Sequence, residues 1–241
     1  MKRLIIILLV IIVFLVVCVP KPIDLDNYPV QRDYGTLTPE EQKLFDEIIA
    51  AAEAGQETVK GQDFPNVGKL SKHLGLYYGE QSRWPRLMMG INYDLELDLE
   101  TFHEFEQARI AIDARVEEAL LNMREGSDRF KLWQIAKYLA DRITYTDGTW
   151  DAISGLNGEG VCATYTLLFY KMATRLGIEC YYCVGYAGGD LHAWNMVVLD
   201  GKEYFYDVTW FDNVVHDYRY LHSPTAWGRT YNINSTEELY D

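Results

Sequence analysis

Cysteine, positive charge and repetition are all scarce in this 241-residue chain. The four cysteines, Cys18, Cys162, Cys180 and Cys183, are too few to staple a fold of this size, which excludes a disulfide scaffold. Lys and Arg number 22 against 36 Asp and Glu, giving a net charge of −14. No basic patch with interleaved aromatics occurs, and a surface of this sign repels phosphate backbones, so nucleic acid is not an expected partner. The acidity is expected to keep the protein soluble. No internal repeat or low-complexity tract is present, which excludes a repeat array. What is present is apolar: 49% of residues are hydrophobic and 14% aromatic, as in a globular chain. Beyond the N-terminal segment, about 200 residues remain, roughly one domain with its own core.

Lys2 and Arg3 precede an apolar run from Leu4 to Val19, which Pro20 ends. Basic residues before the run, with Asp24 and Asp26 after it, predict an N-terminus inside and the rest of the chain outside. The run is slightly short for a spanning helix of about 20 residues and long for a signal-peptide core. A small-x-small cleavage pattern is missing around Val17 to Pro20, so an uncleaved anchor is the first expectation. A lipoprotein is the second, because Leu15-Val16-Val17-Cys18 resembles a lipoprotein box with Val17 where Gly, Ala or Ser belongs. Both place the domain outside the cytoplasm, tethered to a membrane.

The expected layout is an anchor or signal segment over 1–20, a polar stalk over 21–36, a helical and mixed region over 37–126 and a core over 127–241. Thr38-Pro39-Glu40-Glu41 is a capping box with proline at the first helical position, and Leu44, Phe45, Ile48, Ile49 and Ala52 form the apolar stripe that follows, closed by Gly55. Residues 56–98 lack a clear period until the alternation of Tyr93, Leu95, Leu97 and Leu99 predicts a strand. Helices are expected from Glu100 to Arg124 and from Ser127 to Ile143, then a loop from Thr146 to Gly160. A helix from Val161 to Leu176, capped by Gly177, precedes strands at Ile178–Tyr186, Leu191–Leu199 and Glu203–Trp210. Helices first and strands later predict α+β with an antiparallel sheet.

Three segments carry chemistry. Gly158-Glu159-Gly160-Val161-Cys162 places a thiol where a Gly-rich turn opens a helix. There the helix dipole and unpaired N–H groups favour a thiolate, and Gly160 permits close backbone approach. Leu191-His192-Ala193-Trp194-Asn195 supplies an imidazole, and Tyr206-Asp207-Val208-Thr209-Trp210 a carboxylate. Asp200-Gly201 fits a two-residue type I′ turn, which pairs Leu199 with Lys202, Trp194 with Asp207 and His192 with Thr209. His192 and Asp207 become diagonal neighbours roughly 7 Å apart at the backbone, within reach of an Asp–imidazole hydrogen bond. A nucleophile, its base and the base's orienting group are therefore expected in Cys162, His192 and Asp207.

Tyr145, Trp150, Gly160 and Trp194 are candidates for a substrate cleft beside them. Cys180 and Cys183 sit three apart in a strand and point to opposite faces, which suits neither a redox pair nor a metal site. His73, His103, His216 and His222 show no ligand spacing, and neither a metal nor another cofactor is expected.

These three segments resemble the transglutaminase-like superfamily of thiol enzymes. The resemblance covers about residues 128–213, and the helix of residues 38–54 resembles arrangements in exported bacterial members. It implies a papain-like core with the nucleophile helix packed on an antiparallel sheet. It also implies Cys162 as nucleophile, His192 as general base and acid, and Asp207 as the residue that orients the imidazole. An oxyanion-stabilising group is implied as well, for which the Cys162 backbone N–H is the expected donor. Ala163 departs from the Gln or Gly common after the nucleophile. The expected activity is acyl transfer from an amide of a protein or peptide substrate through a Cys162 thioester, with hydrolysis favoured over transamidation. A surface binding module without turnover is the alternative, and a zinc site of Cys162, His192 and Asp207 a third option.

Overall fold

A computed structural model describes residues 20–32, 35–60, 67–80, 87–90, 94–148, 150–187, 189–212, 216–225 and 230–233. The expected anchor over Leu4 to Val19, with Cys18, and the strand residue Tyr93 lie outside the described residues. No helix among the described residues is long and apolar enough to cross a membrane.

Local signals build the first part. The Thr38 hydroxyl accepts the Glu41 N–H at 3.3 Å, and the Glu41 carboxylate accepts the Thr38 N–H at 2.8 Å, which starts α1 (Pro39–Glu53). Leu44, Phe45, Ile48 and Ile49 of the predicted stripe are buried. Residues 56–98 hold β1 (Thr58–Val59), α2 (Val67–Tyr78), β2 (Leu87–Met89) and β3 (Leu95–Leu97). β3 lies between β1 and β2, antiparallel to both. The strand does not reach Leu99, because the Asp98 carboxylate accepts the Thr101 N–H at 3.3 Å and caps α3 (Leu99–Leu121). Phe45, Leu70, Leu74, Leu95 and Phe105 form the core of this part.

A second core surrounds α6 (Cys162–Arg175). Ahead of it come α4 (Asp128–Ala140), β4 (Thr144–Tyr145), α5 (Ala152–Leu156) and β5 (Glu159–Gly160). The last two fall in the segment expected to be a loop. β4 and β5 pair in parallel. From Ala163 to Tyr170 every side chain of α6 is buried, the mark of a helix covered on all sides. Its far end is pinned by ions: the Lys171 ammonium donates to the Tyr77 carbonyl at 2.9 Å, and the Arg175 guanidinium meets Glu117 at 2.7 Å. The first part of the expected stalk also lies along this body. Ile23 is buried in the second core, its N–H donating to the Met123 carbonyl at 3.0 Å.

β6 (Cys180–Ala187), β7 (Asp190–Leu199), β8 (Lys202–Tyr206) and β9 (Thr230–Ile233) form an antiparallel sheet in the order β8-β7-β6-β9. Asp200 and Gly201 have φ of 52° and 72°, the double positive φ of a type I′ turn, which fixes Leu199 opposite Lys202 and Asn195 opposite Tyr206. The register agrees with the sequence prediction, but the strand does not run to Trp210. Asp207 leaves the sheet and caps α7 (Val208–Phe211), its carboxylate accepting the Trp210 N–H at 3.0 Å. Thr209 is therefore helical and does not pair with His192. The physical reason is that aspartate is a poor strand residue and a good helix cap. The architecture is α+β, with α6 packed on the antiparallel sheet.

Candidate active site

Cys162 is the first residue of α6 and is partly exposed at the end of an otherwise buried helix. Val161 precedes it as the cap, and the Val161 N–H donates to the Thr164 hydroxyl at 3.3 Å. Thr164 also explains Gly160. A β-carbon at position 160 would lie 2.5 to 2.8 Å from three atoms of the Thr164 side chain, so only glycine allows β5 this close to the helix start. The Thr166 hydroxyl donates to the Cys162 carbonyl at 2.8 Å. Asn195, wholly buried on β7, donates its side-chain amide to the Thr166 carbonyl at 3.1 Å and so ties the first turn of α6 to the sheet. The Tyr165 hydroxyl lies 2.8 Å from the Ile143 carbonyl and 2.6 Å from the Asp212 carboxylate, linking the same turn to α7.

His192 stands on β7 in the stretch 190–194, beyond the point where β8 ends its pairing. Its Nε2–H donates to Asp207 Oδ2 at 2.9 Å, both residues being buried. With Nε2 so engaged, Nδ1 is the nitrogen left for the Cys162 thiol, which is hydrogen-bonded to the ring. The second Asp207 oxygen accepts the Trp210 N–H, and the Asp207 N–H donates to the Tyr220 carbonyl at 2.8 Å. Two indoles flank the imidazole: Trp210 with ring centres 5.2 Å apart and Trp194 at 5.9 Å, both near parallel.

Burial opposes a charge on His192. The hydrogen bonds to Asp207 and Cys162 and the charges of both groups outweigh it, and push the imidazole pKa up to about 9. At neutral pH the ring therefore holds its second proton, as imidazolium between a carboxylate and a sulfur. The arrangement can supply a nucleophile and, from the ring, a proton for a leaving group.

The cleft candidates divide. Gly160 lies in register with Tyr145 across the β4–β5 pair. Tyr145 is 54% exposed, and its hydroxyl accepts the Cys162 backbone N–H. Trp150 is also exposed, and no hydrogen bond or ring contact joins it to the three central residues among those described. Trp194 is a correction to the sequence reading. It is 0% exposed, packed with Cys183, Met196 and Phe205, and it backs His192 without lining an open cleft. Cys180 belongs to the core around α6 and Cys183 to this smaller cluster, so the two thiols do point apart. Burial pushes the Cys183 thiol pKa well up. His73 bonds the Lys69 carbonyl, His216 packs on Phe211, His222 bonds the Tyr206 hydroxyl, and His103 is exposed. Among the described residues no group of three or more His, Cys, Asp and Glu could hold a metal ion.

Residues 118–211, which contain Cys162, His192 and Asp207, match the family described as the transglutaminase-like superfamily. Over this segment the chain is similar to that superfamily. No curated protein matches the chain. Among solved structures, the chain is similar to a candidate cysteine protease of Cytophaga hutchinsonii, at 20% identity and a TM-score of 0.35, covering 42% of this chain and 37% of that one. It is similar to a TGase at 18% identity and a TM-score of 0.40, covering 70% and 55%. A candidate protease of Parabacteroides distasonis is similar at 13% identity and a TM-score of 0.30, covering 40% and 22%. In each case the chain spans less than two thirds of the other protein's length.

The transglutaminase-like segment also uses residues that pattern reading missed. Trp210 was placed at a strand end, yet its ring covers His192 and its N–H holds Asp207. The one local signal is Asp207 itself, a good helix cap, since Val208, Thr209, Trp210 and Phe211 are residue types that favour strands. Asn195 and Thr166 had none, since their bond joins residues 29 apart in sequence.

Proposed function

We propose that this chain is a membrane-tethered, extracytoplasmic cysteine acyl-transfer enzyme acting on peptide or isopeptide bonds. The observation that carries the reading is the 2.9 Å His192–Asp207 bond, with the Cys162 sulfur at a helix start on the other side of the ring. The sulfur attacks the amide carbonyl and the carbonyl electron pair moves onto oxygen. The pair then returns, the C–N bond breaks, and His192 gives a proton to the departing amine. A thioester on Cys162 remains. Water, deprotonated by His192, then releases the acid and restores the thiol. A primary amine in place of water gives transamidation. Hydrolysis is favoured, because water is always present and the sequence carries no signal for an amine site. The basic start and apolar run from Leu4 to Val19 support the tether; carbonate extraction of membranes tests it, and release of the full-length chain contradicts it.

The chemistry is tested by mass spectrometry of wild type and Cys162→Ala incubated with a peptide library, with and without an added amine. An acyl adduct on Cys162 that is lost in the variant, and shortened peptides without amine incorporation, are expected. Absence of any adduct and any product leaves a binding module and overturns the enzyme reading.

A further inference from the structure

The chain that follows the apolar run is held down on the domain from its first residues. Only Pro20 stands between Val19, where the run ends, and Lys21, whose carbonyl accepts the Glu125 N–H at 2.7 Å. Pro22 forms an antiparallel bridge with Arg124, and the Ile23 N–H donates to the Met123 carbonyl at 3.0 Å. These contacts lay residues 21–23 along the turn that joins α3 to α4. Tyr28 closes the strap. Its hydroxyl donates to the Glu125 carboxylate at 2.9 Å and accepts from the Lys131 ammonium at 2.9 Å, while its carbonyl accepts from the Arg175 guanidinium. Ile23 and Lys131 are both buried. Two helices measure how far this strap lies from the site. Cys162 and Arg175 are the first and last residues of α6, and 14 residues at about 1.5 Å each set them roughly 20 Å apart. α4 runs back the other way. It starts beside the strap, where Lys131 meets Tyr28, and leads to Ile143, whose carbonyl meets Tyr165 in the first turn of α6. The strap and Cys162 are at opposite poles of this body.

We propose that the strap of residues 21–28 seats the domain on the membrane by its α3–α4 turn and holds the Cys162 site at the far pole, so that the site takes protein or peptide amides from the aqueous side, roughly 20 Å off the bilayer, and not bonds presented at the lipid surface. The proposal rests on the reading of Leu4 to Val19 as a membrane tether. A spanning segment that ends at Val19 and a lipid carried on Cys18 both bring the bilayer to the first residue of the strap. One extended residue spans at most about 3.6 Å, so the Pro20 link keeps the α3–α4 turn at the headgroups. Residues 21–28 are then a mount, where a polar stalk would have let the domain tumble and offer its site to the lipid face.

The test asks which pole a lipid-borne reagent can reach. Full-length chain in phosphatidylcholine vesicles is treated with a maleimide carried on phosphatidylethanolamine and, separately, with soluble N-ethylmaleimide. Peptide mapping locates the adducts. Wild type is read at Cys162, and Arg124→Cys in a Cys162→Ala background is read at position 124. Soluble reagent is expected to label both positions. The lipid-borne reagent is expected to label position 124 and to miss Cys162. A Gly-Ser linker of about 20 residues between Pro20 and Lys21, with a reach of roughly 25 Å, leaves the strap contacts in place and is expected to bring Cys162 to the lipid-borne reagent. Lipid-borne labelling of Cys162 in wild type overturns the proposal, as does its absence at position 124. A Cys162 that stays unlabelled with the linker shows that the mount does not set the orientation, and overturns it too. Vesicle flotation is read separately: a chain that does not float with the lipid overturns the tether reading, and this proposal with it.

Discussion

The His192 imidazole and the Asp207 carboxylate lie 2.9 Å apart although they belong to different kinds of element, a strand and the cap of a short helix. The carboxylate is fixed from both ends, by the ring on one oxygen and by the Trp210 N–H on the other. Asp207→Asn preserves the shape but replaces a charged acceptor by an amide. In catalytic triads such a change costs roughly 10³- to 10⁴-fold in rate through a misassigned tautomer. A loss of that size in acylation of Cys162, with the fold intact by circular dichroism, is expected. A loss below tenfold contradicts the orienting role assigned to Asp207.

The raised His192 pKa has a consequence for stability. The folded value, about 9, lies above the ordinary 6.5. The group therefore stabilises the fold fully below about pH 6.5, and its contribution is lost as pH rises through about 9. Urea unfolding of wild type and His192→Gln from pH 6 to pH 10 checks this. The stability difference between the two is expected to shrink across that window. A difference that grows with pH contradicts the shift.

Gly160 separates packing from chemistry. Its missing β-carbon leaves room for the Thr164 side chain, which the methyl group of an alanine at 160 would meet at 2.5 to 2.8 Å. Gly160→Ala is expected to destabilise by about 1–3 kcal/mol, the usual cost of overpacking. Thermal unfolding measures it, and an unchanged midpoint shows that β5 can retreat from the helix.

Asn195 offers a charge test of the tether between β7 and α6. Its amide faces the Thr166 carbonyl at 3.1 Å and the Tyr181 carbonyl at 3.4 Å, at 0% exposure. Asn195→Asp sets a carboxylate against two carbonyl oxygens and is expected to cost about 3–5 kcal/mol at neutral pH. Lowering the pH protonates the carboxyl and should recover part of the loss. Denaturant midpoints at pH 7 and pH 4.5, relative to wild type, report the sign; equal losses at both pH values contradict it.

The parts of this site that were legible in the sequence are those set by short-range chemistry. The Thr38–Glu41 box, the Asp200-Gly201 turn and the start of α6 each depend on a few adjacent residues, and each formed as expected. The turn fixed the register, and the register brought His192 near Asp207. Thr209 was misplaced because one residue, Asp207, had two local options, and the cap won over the strand. Trp194 was misread because alternation tells which side chains share a face, not whether that face is covered. Cys183, Met196 and Phe205 cover it. β1 to β3 were hard to find because strands of two or three residues are too short to show a period, and their pairing joins distant segments.

The most direct test is the alkylation rate of Cys162 against pH, resolved by peptide mapping from Cys180 and Cys183. Those two thiols are buried and serve as internal controls. The account predicts rapid labelling of Cys162 alone at pH 6–7, and a large fall in that rate in His192→Gln, which lacks the imidazolium beside the sulfur. Labelling of Cys162 that is slow at neutral pH, and indifferent to the loss of His192, contradicts it.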